Sequence, residues 1–328
     1  FNSNLTSDEK FHARLSDSIR KYSKLQHVNI GTIYDMDETE DHRFFITSEF
    51  VEGRPLTAIL KSEAPLEQER ALNLFYQIAD ALHQAHANLI EHGYLTPQDI
   101  IVYTNPDGKE CVQVMNFGIS KLLLNEKFRH FNETQDINYL SVEEVAYISP
   151  DLATNPAAVD DLDDIYSFGV ILYQALSGGL PFQADTADAM MEALCSLEAV
   201  PLRQLPQCRA INPQWDSVID HCLQKKKSDR FQSIKEIKVI LQRIGEGLKH
   251  EAEPTIMRMK TDLARDMAGE EAERQAQAER LDTTEVVPPP APGGKKKSPP
   301  LSKTLMIQRK ALMEEEAPPE GLPEAPPE

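Results

Sequence analysis

The segment His92-Gly-Tyr-Leu-Thr-Pro-Gln-Asp-Ile-Ile101 decides how this chain is read. Downstream, residues 100–121 have the pattern of short paired strands around the turn Asn105-Pro-Asp-Gly108, and they include Asn116-Phe117-Gly118. Upstream, residues 67–89 place Leu72, Phe75, Ile78, Leu82, His86 and Leu89 three or four apart, the spacing of an amphipathic helix. The segment therefore lies between an expected helix and an expected strand pair.

Further out, residues 8–26 form a helical pattern with Phe11, Leu15, Ile19 and Tyr22 on one face. Two short strands follow, at 29–35 and 43–51, with the acidic stretch Asp35-Met-Asp-Glu-Thr-Glu-Asp41 read as a polar turn between them. From Asp163 to Ser177 the residues are apolar almost all round, a helix buried on every side. Gly178-Gly179 stops it and Pro181 follows. Helices are expected at 186–197, 213–224 and 232–246. The order of helix, strands and then mostly helices gives an α+β fold with a large helical lobe.

The chain has 328 residues and a formal net charge of −19, which argues against nucleic acid or an anionic membrane surface as the main partner. Its four cysteines, Cys111, Cys195, Cys208 and Cys222, make no CxxC pair and read as small buried apolar side chains in a reducing, cytoplasmic setting. No apolar run is long enough to span a bilayer. The first residue is Phe1, and no charged-then-apolar leader follows, so the chain is read as a piece with residues missing upstream. Composition shifts near residue 250 toward Glu, Ala, Arg, Lys and Pro, and half of the 22 prolines fall between Pro288 and Pro327. Such a segment cannot offset its chain entropy by burial and is expected to be a disordered tail.

His92–Ile101 resembles the catalytic loop of protein kinases, H-R-D-L-K-P-x-N-I, and Asn116-Phe117-Gly118 stands where that family has Asp-Phe-Gly. Tyr147-Ile-Ser-Pro-Asp151 resembles the Y-M-S-P-E of bacterial-type serine/threonine kinases. Asp164-Ile-Tyr-Ser-Phe-Gly169 resembles D-I-Y-S-L-G, and Ser228-Asp-Arg-Phe231 the late D-x-R-F box. His27-Val-Asn-Ile30 matches H-P-N-I, and Glu49-Phe-Val-Glu-Gly53 the hinge pattern E-Y-V-E-G. The seven anchors keep family order over about residues 9 to 246. The resemblance implies a kinase-like fold with a partial N-lobe at 1–52 (the helix, two strands and the start of the hinge), a helical C-lobe at 53–249 and the tail at 250–328. In that frame Glu49, Val51 and Ile101 line the nucleotide hinge and cleft.

The same frame implies that the chemistry is degenerate. Phosphoryl transfer needs held phosphates, metal ions and a carboxylate to take the hydroxyl proton. Tyr94 stands in place of the catalytic Asp, and a phenol is no base near neutrality. Thr96 replaces the catalytic-loop lysine, and Gly93 the arginine that would pair with an activation-loop phosphate. Asn116 replaces the principal metal-binding Asp, while Asp99 sits where the family has Asn; that swapped pair is the one candidate for weak Mg²⁺ or ATP binding. Residues 1–30 contain no glycine, and Ser18 falls where the paired glutamate belongs. Positions with structural roles in the family are kept: His92 and Phe117 for the apolar stack, Gly118 after it, Asp164 for holding the catalytic-loop backbone, and Asp151 with Arg230 for the ion pair locking the activation segment.

These residues imply a pseudokinase, needing no cofactor, that acts as a scaffold or allosteric partner in phospho-signalling. The alternatives left open are a divergent active serine/threonine kinase and a remnant with no stable fold of its own. Expected partners are other proteins: an active kinase, or a phosphothreonine- or polyproline-binding domain reached through the tail. The tail carries Pro289-Pro-Ala-Pro292, Lys295-Lys-Lys297, the similar pair Thr255-Ile-Met and Thr304-Leu-Met, and a short helical pattern at 255–281. His83 and His86 share a helix face, as packing residues rather than metal ligands, and Trp215 is read as core.

Overall fold

The structure, a computed structural model, describes residues 9–39, 44–134, 140–209 and 211–245. These fall in one unit, Phe1–Met267; Ala268–Glu328 groups separately, outside the described residues. The tail elements expected at 255–281 and beyond lie outside as well. Among the described residues no helix is long and apolar enough to cross a membrane.

Helix α1 (Glu9–Tyr22) buries Phe11, Leu15, Ile19 and Tyr22, the face its periodicity predicts. Strands β1 (Ile33–Glu38) and β2 (Phe44–Ser48) pair antiparallel in a two-stranded sheet. This corrects two expectations. The first strand begins later than 29, with Ile30 making only an isolated bridge to Val114, and Asp35–Glu38 are strand rather than turn. Their alternation places Met36 against the core while Asp35 and Asp37 face water, which an acidic strand can accommodate only at a sheet surface.

A second sheet runs β3–β4–β5, from β3 (Arg54–Pro55), β4 (Ile100–Thr104) and β5 (Glu110–Val114). The β4–β5 hairpin turns where the sequence placed it: the Asn105 side chain accepts from the N–H of Asp107 and Lys109, and Gly108 takes φ +77°. Between β3 and β4 lie α2 (Leu56–Glu63), which the sequence reading did not anticipate, and α3 (Gln68–Ala87).

After β5 the chain does not remain extended to 121 as expected. It turns at Asn116 and enters α4 (Ser120–Thr134), followed by the short α5 (Val142–Val145) and α6 (Pro150–Thr154). The central helix α7 (Asp161–Ser177) is buried without a break from Asp163 to Tyr173. Asp160 caps its start by accepting from the N–H of Leu162, and Gly178 ends it at φ +82°. Helices α8 (Ala187–Ser196), α9 (Pro213–Cys222) and α10 (Ile234–Gly245) complete the lobe, with α3 packed on α7, α10 and β5. Trp215 is fully buried, as expected. Cys208 and Cys222 are buried too, but Cys195 is exposed, contrary to the uniform reading of the thiols.

Candidate active-site cleft

Asp164 organises the loop from below. Its fully buried carboxylate accepts from the backbone N–H of His92 at 2.8 Å and of Gly93 at 2.7 Å, and from His86 Nε2 at 2.8 Å. Burial alone would raise this carboxyl, but His86 and the Gly93 N–H more than offset it and hold it below the usual range. The same contact reverses the effect of burial on His86, whose imidazole is raised. The fork requires a sharp backbone, and Gly93 supplies it at φ +77°.

His92 bridges to the other side. Its Nε2 lies 2.9 Å from the Met115 carbonyl oxygen, and its ring meets Phe117 edge-on at 5.0 Å. Phe117 stacks in turn on Tyr22 of α1, with centroids 5.9 Å apart; the Tyr22 hydroxyl donates to the Gly31 carbonyl. The sequence identified His92 and Phe117 but not Tyr22, whose only signal was its place on the apolar face of α1. Ser18, one turn earlier, brings its Cβ within 3.9 Å of where a Gly118 side chain would begin.

The polar residues of the loop satisfy one another. The Asp99 carboxylate accepts from the Thr96 N–H (3.2 Å) and hydroxyl (2.8 Å) on one oxygen. On the other it accepts from the Asn116 side-chain amide (2.9 Å) and, more distantly, from Ser120 (3.5 Å). Asn116 adopts φ +62°, a conformation its residue type tolerates. A metal-binding pair would turn oxygens outward, whereas here the Asn116 amide donates to Asp99. Among the described residues no three His, Cys, Asp or Glu side chains are grouped to hold a metal ion. As arranged, an amide donor and a hydrogen-bonded carboxylate face one another, and a cation there would have to displace those contacts.

Tyr94 is committed elsewhere. Its hydroxyl donates to the Glu144 carbonyl oxygen at 2.6 Å, and burial pushes its pKa well above the tyrosine range. Tyr94, Thr96, Asp99 and Asn116 share one cavity of about 820 Å³ with Ile33, Met115, Leu123 and Glu143. Glu49 and Val51 line a separate cavity of about 600 Å³ with Gln113, whose side chain donates to Glu49 at 3.1 Å. Ile101 lies on β4 opposite Pro55 and Gln113 and lines neither. The structure therefore gathers the loop residues into one cleft and does not bring the hinge residues into it.

Arg230, fully buried, donates to Asp151 at 2.6 Å and to the carbonyls of Gln224, Lys225 and Leu162. Asp163 adds a buried carboxylate that accepts from Ser149 (2.5 Å) and Lys227 (3.0 Å), a participant the sequence reading missed. Glu144 and Lys127, which pair with one another and line the same cavity as Tyr94, were missed as well. Only the Ser141-x-x-Glu144 capping-box pattern pointed to the first.

The family model for the protein kinase domain matches residues 3–242. Among curated proteins, the chain is 32% identical over 246 residues to the serine/threonine-protein kinase pkn3 of Myxococcus xanthus, covering 73% of this chain and 43% of that one. It is 31% identical over 218 residues to the serine/threonine-protein kinase PrkC of Bacillus subtilis, covering 66% and 31%. The chain thus spans less than half the length of these relatives. Among solved structures, the PknI kinase domain of Mycobacterium tuberculosis superposes with a TM-score of 0.55 at 20% identity, over 74% of this chain and 83% of that one.

Proposed function

The chain belongs to the protein kinase domain family, and on that premise we propose that it is a pseudokinase: a scaffold or allosteric partner in phospho-signalling that does not transfer phosphate. The observation that carries this reading is Tyr94. It occupies the position of the family's proton acceptor, and its hydroxyl is spent as a donor to Glu144. A positioned general base is worth roughly 10²–10⁴ in rate, and a phenol held protonated supplies none of it. Asp99 supports the reading from the metal side, since its carboxylate is engaged by Thr96, Asn116 and Ser120.

What remains is a domain whose loop, Phe117 stack and Arg230 network hold one arrangement, which suits a binding surface. We place it in the cytoplasm, with residues 250–328 offered to an active kinase or to a phosphothreonine- or polyproline-binding domain. Named relatives are serine/threonine kinases, so the competing reading is a divergent active enzyme.

The test is thermal unfolding with and without ATP and Mg²⁺, alongside phosphate transfer to a basic protein substrate. A ligand at a hundred times its Kd adds roughly 2.7 kcal/mol, about 2–4 °C for a domain of this size. A cooperative transition with no magnesium-dependent shift and no transfer is expected. Magnesium-dependent transfer above that of the Asp99→Ala variant would overturn the reading.

A further inference from the structure

Helix α4 follows directly on Asn116-Phe117-Gly118 and is tied to three other parts of the fold. Lys121 pairs with Glu91 at the entrance to the loop, Glu126 with Arg14 of α1, and Lys127 with Glu144 of α5. Glu126 is the unusual member. Its side chain is only 5% exposed, yet it is a carboxylate, held by Arg14 Nη2 at 2.9 Å and by Arg129 Nη2 at 2.7 Å. A charge that far out of water is tolerated only when paired. Around it, Leu122, Leu124 and Phe128 are buried.

Gly93 adds an independent constraint. It stands where the family carries the arginine that reads an activation-loop phosphate. A side chain there would begin 2.8 Å from both the Lys121 Cβ and the Val159 Cγ1. A side chain at this position therefore meets the base of α4 and Val159, and no guanidinium stands here to read a phosphate.

Resting on the pseudokinase reading, we propose that Glu126 is the fixed anion of a permanently latched segment. Clasped between Arg14 and Arg129, it orders residues 120–134 without phosphorylation, so the surface this domain presents is constitutive. In a switchable segment the anion is added as a phosphate and met by a guanidinium. Here carboxylate and guanidinium are both encoded, on α4 and α1.

Hydrogen exchange read by mass spectrometry on the full chain tests this. In Glu126→Ala, amides within 120–134 should exchange at least about tenfold faster than in the wild type, while those of α7 keep their rates. The Arg14→Ala variant should give the same pattern. Its side chain is 49% exposed, so its loss keeps the core folded even if Glu126→Ala does not fold. The double exchange Arg14→Glu with Glu126→Arg should slow the segment again relative to either single change. Phosphatase treatment of the wild type should alter nothing. The proposal is overturned if Arg14→Ala leaves exchange in 120–134 at the wild-type rate, or if phosphatase alone releases the segment. Phosphate transfer by the wild type would instead count against the pseudokinase reading and leave the exchange result to be judged on its own.

Discussion

Tyr94 donates its hydroxyl to the Glu144 carbonyl oxygen at 2.6 Å, which fastens the loop after His92 to the segment that begins at Ser141. Tyr94→Phe keeps the ring and removes the donor, leaving a carbonyl in a part-buried place. The expected loss is about 1 kcal/mol, read as a lower urea midpoint with unchanged slope. Tyr94→Asp should cost more, since it vacates the ring's volume. It should also gain no phosphate transfer, because Asp99 remains bonded to Thr96 and Asn116.

His86 and Asp164 make stability depend on pH in two opposite directions. Burial lowers the His86 pKa, but Asp164 at 2.8 Å outweighs it, with Asp161 and Glu91 adding in the same sense, and the net shift is upward from 6.5. A base raised on folding contributes fully below its unfolded pKa and loses that contribution as pH rises through the folded value. Asp164 is lowered from 3.8, so its contribution is present above about pH 4 and lost as pH falls further. The pair should therefore stabilise most between about pH 4 and 6.5. The stability difference between wild type and His86→Gln should shrink as pH rises from 6 to 9. A difference that stays flat over that range would show that His86 is neutral in the folded state.

The anchors legible in the sequence were those whose residue type answers a local demand. Gly178 ends α7, Asn105 and Gly108 turn the β4–β5 hairpin, and Phe11, Leu15, Ile19 and Tyr22 recur at helical spacing. The cleft was half legible. Tyr94, Thr96, Asp99 and Asn116 stood out by position, yet nothing in their spacing showed that they bond to one another. Helix α4 was missed because its stability lies in partners far along the chain: Arg14 is 112 residues from Glu126, and Glu91 is 30 from Lys121. The Asp35–Glu38 strand was missed for a related reason, since strand pairing with Thr47 and Ile46 overrode the low β-propensity of its acids.

Leu89 ends α3 in the left-handed region, at φ +58°, with 78% of its surface exposed. Its N–H bonds the His86 carbonyl and the Ile90 N–H bonds Ala85, the double closure normally completed by glycine at this position. A leucine there carries backbone strain of about 1–2 kcal/mol, and its exposed side chain makes little packing to offset it. Leu89→Gly should raise stability by about 0.5–1 kcal/mol, after the greater entropy of glycine in the unfolded chain. Chemical denaturation measures it; a destabilised variant would show that the Leu89 side chain packs against something not yet identified.

Asn116 donates its amide to Asp99 at 2.9 Å, and that single proton-bearing group decides how the cleft meets a cation. Asn116→Asp replaces the donor with a second carboxylate at the same distance, so two like charges face each other and one must take up a proton. Without metal the variant should lose about 1–3 kcal/mol, the cost of an uncompensated polar group. Millimolar Mg²⁺ supplies the missing positive charge to two adjacent oxygen donors. The melting temperature of Asn116→Asp should therefore rise with Mg²⁺, while that of the wild type stays put. A wild type that responds equally would mean that Asp99 gives up Thr96 and Asn116 for the ion, and that the hydrogen-bonded pair is a resting state rather than a replacement for the metal.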